Sequence, residues 1–213
     1  MTADDQALLE AWRAGDEHAG RELVERHLPA VYRFFANKLG RDVDDLVQQT
    51  FLALVEGRER VREAAGFRGF LFGIARNKLL RHFRDRDPQP AEHSVAELAA
   101  SGTSVAEGLA KKSEQRILLQ ALRRIPLDLQ IALELAYWEG LSDREVAAIL
   151  EVPVGTLKSR LRKARTLLDQ AMAELAGSPE LLRSTTRGLD GWVADLREQL
   201  EEVARPAGAG RRG

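Results

Sequence analysis

Between Ser142 and Thr166 the chain carries a helix-starting signal, a short apolar helix, a brief turn containing a proline, and a longer helix with cations along one side. Few folds use that order. Ser142-Asp143-Arg144-Glu145 has the form of a capping box, in which the Ser142 hydroxyl accepts from the Glu145 amide while the Glu145 carboxylate reaches back. The helix it starts is expected to bury Val146, Ala147, Ile149 and Leu150 over about two turns. Glu151-Val152-Pro153-Val154 then lead into a second helix, expected to end near Ala176. Two helices separated this way read DNA when the second presents polar groups to the major groove. Glu151 stands where glycine would ease a left-handed backbone, at a cost of about 1 kcal/mol.

On the second helix Leu157, Leu161, Ala164 and Leu168 fall on one face by their i, i+4, i+7, i+11 spacing. Ser159, Arg162, Lys163 and Thr166 lie opposite, with Lys158 and Arg165 on a flank. Arg and Lys can bond guanine edges or phosphates, Ser and Thr can take either role, and no carboxylate is there to repel a nucleic-acid backbone. A solvated amphipathic helix would carry the same stripe, so periodicity alone leaves both readings open.

The remaining sequence is also helical in character. Ala, Leu, Arg and Glu dominate, only 6% of the 213 residues are aromatic, and 44% are hydrophobic, enough to bury a core. Net charge is -1, so any basic surface must come from segregation along the chain. From Arg58 to Arg86 nine Lys or Arg face three acids, and from Val154 to Thr166 five face none. Cysteine is absent, which excludes disulfides and Cys-ligated zinc and suits a reducing cytoplasm. His18, His27, His82 and His93 form no ligand set and read as solvated surface residues, so no metal or cofactor is expected. Neither a signal peptide nor a bilayer-spanning stretch is present in the sequence, and a cytoplasmic location without membrane insertion is expected.

In chain order, apolar residues from about Asp4 to Leu39 predict two helices broken by Gly15 and Gly20. A third is expected from Asp42, as its cap, through Leu46, Val47, Thr50, Phe51, Leu54 and Val55 to Gly57. A fourth runs from about Phe67 to Arg84. Between Asp87 and Lys112 the pattern lapses into Asp-Pro-Gln-Pro and small polar residues, a flexible linker holding at most a short helix near 95–100 or 105–110. Its 26 residues reach roughly 90 Å extended and about 30 Å as a coil. Periodicity resumes at Ser113, stops at Pro126, and returns from Leu127 to Trp138. Past Gly177, Leu189, Trp192, Val193, Leu196, Leu200 and Val203 mark one more amphipathic helix before a disordered end. The fold class is therefore all-α: residues 1–86 and 113–176 form two small helical domains joined by the 87–112 linker, with 177–213 a partly helical extension.

Several runs resemble a known family. Tyr137-Trp138-Glu139-Gly140-Leu141-Ser142 and Val152-Pro153-Val154-Gly155-Thr156-Leu157-Lys158-Ser159-Arg160-Leu161 closely resemble region 4 of extracytoplasmic-function sigma factors, the small group of the sigma-70 family. Asp45-Leu46-Val47-Gln48-Gln49-Thr50-Phe51-Leu52 and Phe67-Arg68-Gly69-Phe70-Leu71-Phe72-Gly73-Ile74-Ala75-Arg76-Asn77 look like region 2, in the correct order. Gly69 and Gly73 depart from the pattern, standing where the family commonly has larger residues.

The resemblance implies a factor with no catalytic residues that joins core RNA polymerase and directs initiation at promoter DNA. Asp45, Leu46, Gln48, Gln49 and Phe51 are its implied contacts with the β' clamp helices, and region 4 would meet the β flap. Arg76, Asn77, Lys78, Arg81 and Arg84 would hold the opened minus-ten element, while Phe67, Phe70 and Leu71 would pack rather than stack on bases. Thr156, Lys158, Ser159, Arg162, Lys163 and Arg165 would read the minus-thirty-five element. An anti-sigma partner masking the docking face is implied by the resemblance alone. On residues alone a free-standing dimeric repressor would also use such a helix-turn-helix, and the region 2 match separates the two. An enzyme on this scaffold finds no phosphate loop, metal cluster or nucleophile elbow to support it.

Overall fold

Leucine and alanine at helical spacing do most of the work in this architecture. The computed structural model describes residues 3–40, 43–61, 66–86 and 113–175, and its regular elements are helices. The linker expected at 87–112 lies outside the described residues, as do the short helix within it and the C-terminal stripe from Leu189 to Val203.

The N-terminal body is built from α1 (Ala3–Arg13), α2 (Glu17–Leu39), α3 (Asp44–Gly57), a 3₁₀ turn (Arg58–Arg60) and α4 (Gly66–Arg86). The break between α1 and α2 falls at Gly15, whose φ of +104° suits glycine, and Asp16 caps α2 by accepting from the amides of His18 and Ala19. Gly20, expected to break the chain, instead lies inside α2. A Cβ there would sit well inside contact distance of the Trp12 indole, so this glycine admits a neighbouring ring. The core closes around Leu9, Leu23, Phe35, Leu54, Phe67 and Leu71, all fully buried.

Helix α3 starts one residue later than expected. Its N-cap is Val43, which makes no side-chain cap bond, while the capping residue expected, Asp42, lies outside the described residues. Asp44 and Asp45 still occupy the first turn, where the helix dipole favours anions. At its other end Arg13 reaches across from α1 to donate to the carbonyls of Arg58 (2.9 Å) and Val61 (2.7 Å), satisfying groups that a helix end leaves unpaired.

The C-terminal body comprises α5 (Ser113–Arg124), α6 (Leu127–Leu133), α7 (Asp143–Ile149) and α8 (Val154–Leu175). The helix expected from Leu127 to Trp138 is α-helical only as far as Leu133; Glu134–Trp138 form a π-helical turn, closed by Glu139 N donating to Glu134 O at 3.0 Å. Periodicity cannot reveal such a turn, because the helix ends at Trp138 and has no later turn in which a one-residue offset could show. Leu118, Leu122, Ile131, Val146, Leu157 and Met172 close the core of this body.

A flexible linker would let the two bodies stand tens of ångströms apart, yet here they touch. Helix α7 packs against α4, and α5 against α2. At their seam lies a set of charges that hydropathy does not disclose, described next.

Candidate nucleic-acid and polymerase interfaces

The capping box at the start of α7 forms as expected. Ser142 Oγ accepts from the Glu145 amide at 3.4 Å, and the Ser142 amide donates to Glu145 Oε2 at 2.8 Å. Glu151 takes φ +57°, making it the one described non-glycine residue in the left-handed region, and sends the chain into α8. Leu157, Leu161, Ala164 and Leu168 are buried, so the opposite face of α8 is fixed outward. Thr156, Lys158, Ser159, Arg162, Lys163, Arg165 and Thr166 are all exposed there.

Two hydroxyls on that face bond back to their own helix: Ser159 donates to Thr156 O at 2.8 Å and Thr166 to Arg162 O at 3.2 Å. Arg165 leans over the Tyr137 ring, 4.6 Å from its centroid, which anchors its guanidinium on the flank. Nearby, partial burial raises the Asp169 carboxyl above its ordinary pKa despite the opposing pull of Arg165. Lys158, Arg162 and Lys163 make no ion pair or ring contact among the described residues and are the cations of the face left open to a partner.

On α4, Asn77, Arg81 and Arg84 are exposed at i, i+4, i+7 and share one side. Arg81 pairs loosely with Asp85 at 3.8 Å, both in solvent. Arg76 and Lys78 are half-buried, and the Nε of Arg76 finds no hydrogen-bond partner among the described residues. Phe67 and Leu71 are fully buried, as their packing role requires. Phe70 is half-buried against Gly57, where a Cβ would come within 2.9 Å of the phenyl ring.

Helix α3 divides differently from the expected docking set. Asp45 and Gln48 face solvent, and Gln49 is half-buried, donating to Asp45 Oδ2 at 2.8 Å. Leu46 and Phe51 face the core, each only 8% exposed. Val55, the last apolar residue of the expected run, is 37% exposed, and Leu52 is 59% exposed. Gln48, Leu52 and Val55 stand at i, i+4, i+7, so their shared outward stripe is visible in the sequence once the core face is assigned. Leu52 is the docking candidate that sequence reasoning missed.

His27, expected at the surface, is buried. Its ring lies 5.1 Å from Phe67 and its Nε2 3.3 Å from Asp5, and burial lowers its pKa against the opposing pull of Asp5. Among the described residues no group of three His, Cys, Asp or Glu is placed to hold a metal, and no helix is long and apolar enough to cross a membrane.

Between the bodies lies a cluster of buried ions. Arg33 on α2 donates through Nη2 to Glu139 Oε1 at 2.7 Å, and Arg68 on α4 donates to both the carbonyl and the carboxylate of Glu139. Lys38 donates to Glu134 and to Phe34 O at 2.8 Å, and lies 3.9 Å from the Phe34 ring centroid. Gln130 donates to the other Glu134 oxygen at 2.8 Å. Arg123 adds a bond to Asn37 O at 3.0 Å. Burial lowers the Lys38 pKa, opposed by Glu134.

Two helical bodies, one ending in a helix-turn-helix and the other in a helix with exposed cations, have the form of a DNA-binding protein. Comparison with known proteins agrees in detail. The sigma-70 region 2 model matches residues 23–89 and the sigma-70 region 4 model residues 115–168. An ECF RNA polymerase sigma-E factor of Escherichia coli is 32% identical over 182 residues, covering 80% of this chain and 95% of its own. The sigma-E factor of Haemophilus influenzae is 29% identical, covering 80% and 96%. Among solved structures, CnrH in complex with the cytosolic domain of CnrY aligns over 80% of this chain and 98% of its own, with TM-score 0.56 and 25% identity. The sigma factor RpoE of Bartonella quintana, in complex with the anti-sigma factor NepR, shares the fold at TM-score 0.54 and 22% identity over 74% of this chain and 97% of its own. The chain belongs to the extracytoplasmic-function sigma factors, which direct promoter-specific transcription initiation with RNA polymerase.

Proposed function

We propose that residues 1–86 dock on core polymerase and hold the opened minus-ten element, that 113–176 anchor on the minus-thirty-five element, and that 87–112 set their separation. The chain supplies no catalysis and works in the cytoplasm, where the polymerase is. The observation that carries this reading is the outward cationic face of α8, held in place by a buried apolar face and a capped turn. Arg162 and Lys163 at its centre, with Lys158, Ser159, Thr156 and Arg165 around them, suit base edges and phosphates. Arg81, Arg84 and Asn77 on α4, with Lys78 and Arg76 behind them, suit an unpaired strand.

Docking centres on Gln48, Leu52 and Asp45 of α3, with Gln49 beside them, against the β' clamp helices. Leu46 and Phe51 support that face from the core. Region 4 meets the β flap. An anti-sigma factor that masks these surfaces fits the family, and one structural relative is a complex with such a partner.

Run-off transcription with core polymerase on a pool of random promoters tests the whole reading: specific start sites are expected, and their absence with a folded chain refutes it. Arg162→Ala is expected to lower initiation with a base-specific loss of about 1–3 kcal/mol at one promoter position. Equal weakening on every sequence would assign Arg162 to phosphate instead. Leu52→Glu is expected to reduce co-purification with core polymerase while leaving the melting temperature unchanged, because its side chain contributes little to the core.

A further inference from the structure

Arg165 is exposed, yet its guanidinium has a set place over the Tyr137 ring, 4.6 Å from the centroid. Tyr137 is itself held. It packs half-buried against the core in the π-helical turn, with Leu135 and Trp138 beside it in the chain at 0% and 5% exposure. The backbone around it is tied by Glu139 N donating to Glu134 O and Leu141 N to Leu135 O, both at 3.0 Å. Stacking occupies the flat face of a guanidinium and none of its N–H donors. Those of Arg165 make no hydrogen bond among the described residues. Arg160 is the contrast: half-buried, it is paired with Asp128 at 3.8 Å.

We infer that Tyr137 is a positioning residue for promoter binding, holding the Arg165 guanidinium so that its N–H edge clamps a DNA backbone phosphate beside the minus-thirty-five element instead of reading a base. The inference rests on the proposed promoter reading. A second support is where Arg165 stands on α8. Ser159, Arg162, Lys163 and Thr166 point away from buried Leu157, Leu161 and Leu168, whereas Lys158 and Arg165, seven positions apart, share a flank. A helix in the major groove, about 12 Å wide, turns its outward face to base edges and its flanks to the phosphate walls. Arg165 also lies eleven positions after Val154, about 16 Å along the axis, beyond the N-terminal turns from which a recognition helix touches bases.

The ring also keeps Arg165 from a nearer partner. Four positions on, exposed Asp169 attracts it electrostatically, and opposite charges at that spacing commonly pair. No ion pair joins the two among the described residues; Arg165 lies on the ring instead. A planar fork takes two phosphate oxygens at once, and a side chain already ordered by the ring loses less rotamer freedom when it does so.

The test uses the full chain with core polymerase on a promoter fragment recovered from the random pool, with binding measured across a salt series. Arg165→Ala is expected to weaken binding about tenfold and to lower the slope of log affinity against log salt by about 1. Start sites selected from the pool keep the same base preference at every minus-thirty-five position. Tyr137→Leu is expected to weaken binding about two- to fivefold, and the double variant no further than Arg165→Ala alone. Tyr137→Phe keeps the ring and binds as wild type. A tyrosine that only stabilises the fold would give losses that add to those of Arg165→Ala. Should Tyr137→Leu melt at a lower temperature, Arg165→Lys reads the contact from its other side: the charge and the salt slope stay, the fork and the stack go, and binding still falls. An altered base preference in Arg165→Ala, additive losses, a Phe variant as weak as Leu, or a Lys variant as strong as Arg overturns the inference. A wild-type holoenzyme that starts RNA at no promoter strikes at the proposed function instead.

Discussion

Trp12 and Gly20 compete for the same space, and only the absence of a side chain at Gly20 settles it in favour of the indole. Gly20→Ala is expected to cost about 1–3 kcal/mol by overpacking, read as a lower melting temperature. Composition hides this glycine's purpose, because a helix-weakening residue looks like a break until the ring beside it is known. His27 is a similar case at the same scale. Burial beside the Phe67 ring, helped by Arg68 and Arg26, favours the neutral imidazole against the pull of Asp5 and lowers its pKa from 6.5. The unfolded chain therefore takes up the proton first as pH falls, and stability is lost on acidification below about that value. Urea midpoints measured on either side of it should fall toward acid in the wild type and change less in His27→Gln.

Among the elements, α7 and α8 were the most legible, since capping box, short apolar run and amphipathic stripe each carry a local physical signal. The Ser142 cap predicts that Ser142→Ala loses about 1 kcal/mol of stability in thermal melts. Glu151 predicts the reverse. Its φ of +57° strains any side chain, so Glu151→Gly is expected to stabilise by up to about 1 kcal/mol. Helix α3 was legible in its apolar run but not in its register. Val55 continues the apolar run yet shares a face with exposed Leu52, because a helix with apolar residues on both sides does not announce which face the core takes and which is left for a partner. The π turn carried no signal at all.

For the whole molecule, the order of bodies and the class of function could be read from spacing, whereas their mutual contact could not. Arg33, Lys38, Arg68, Glu134 and Glu139 look like ordinary surface charges on amphipathic helices, and only the fold puts them opposite one another. Coupled bodies should unfold together. The wild type is expected to melt in one calorimetric transition with Glu139→Gln splitting it in two, since the variant leaves Arg33 and Arg68 without their shared carboxylate.

The widened turn at Glu134–Trp138 makes the geometry sensitive to chain length at that spot. Deleting one residue there would return the segment to 3.6 residues per turn and change the offset between Glu134 and Glu139, whose carboxylates face α2 and α4. The DNA-reading half would keep its own fold and lose its seat. An indel of one residue would thus act as a hinge adjustment, resetting how the two halves meet without touching either surface that meets the promoter.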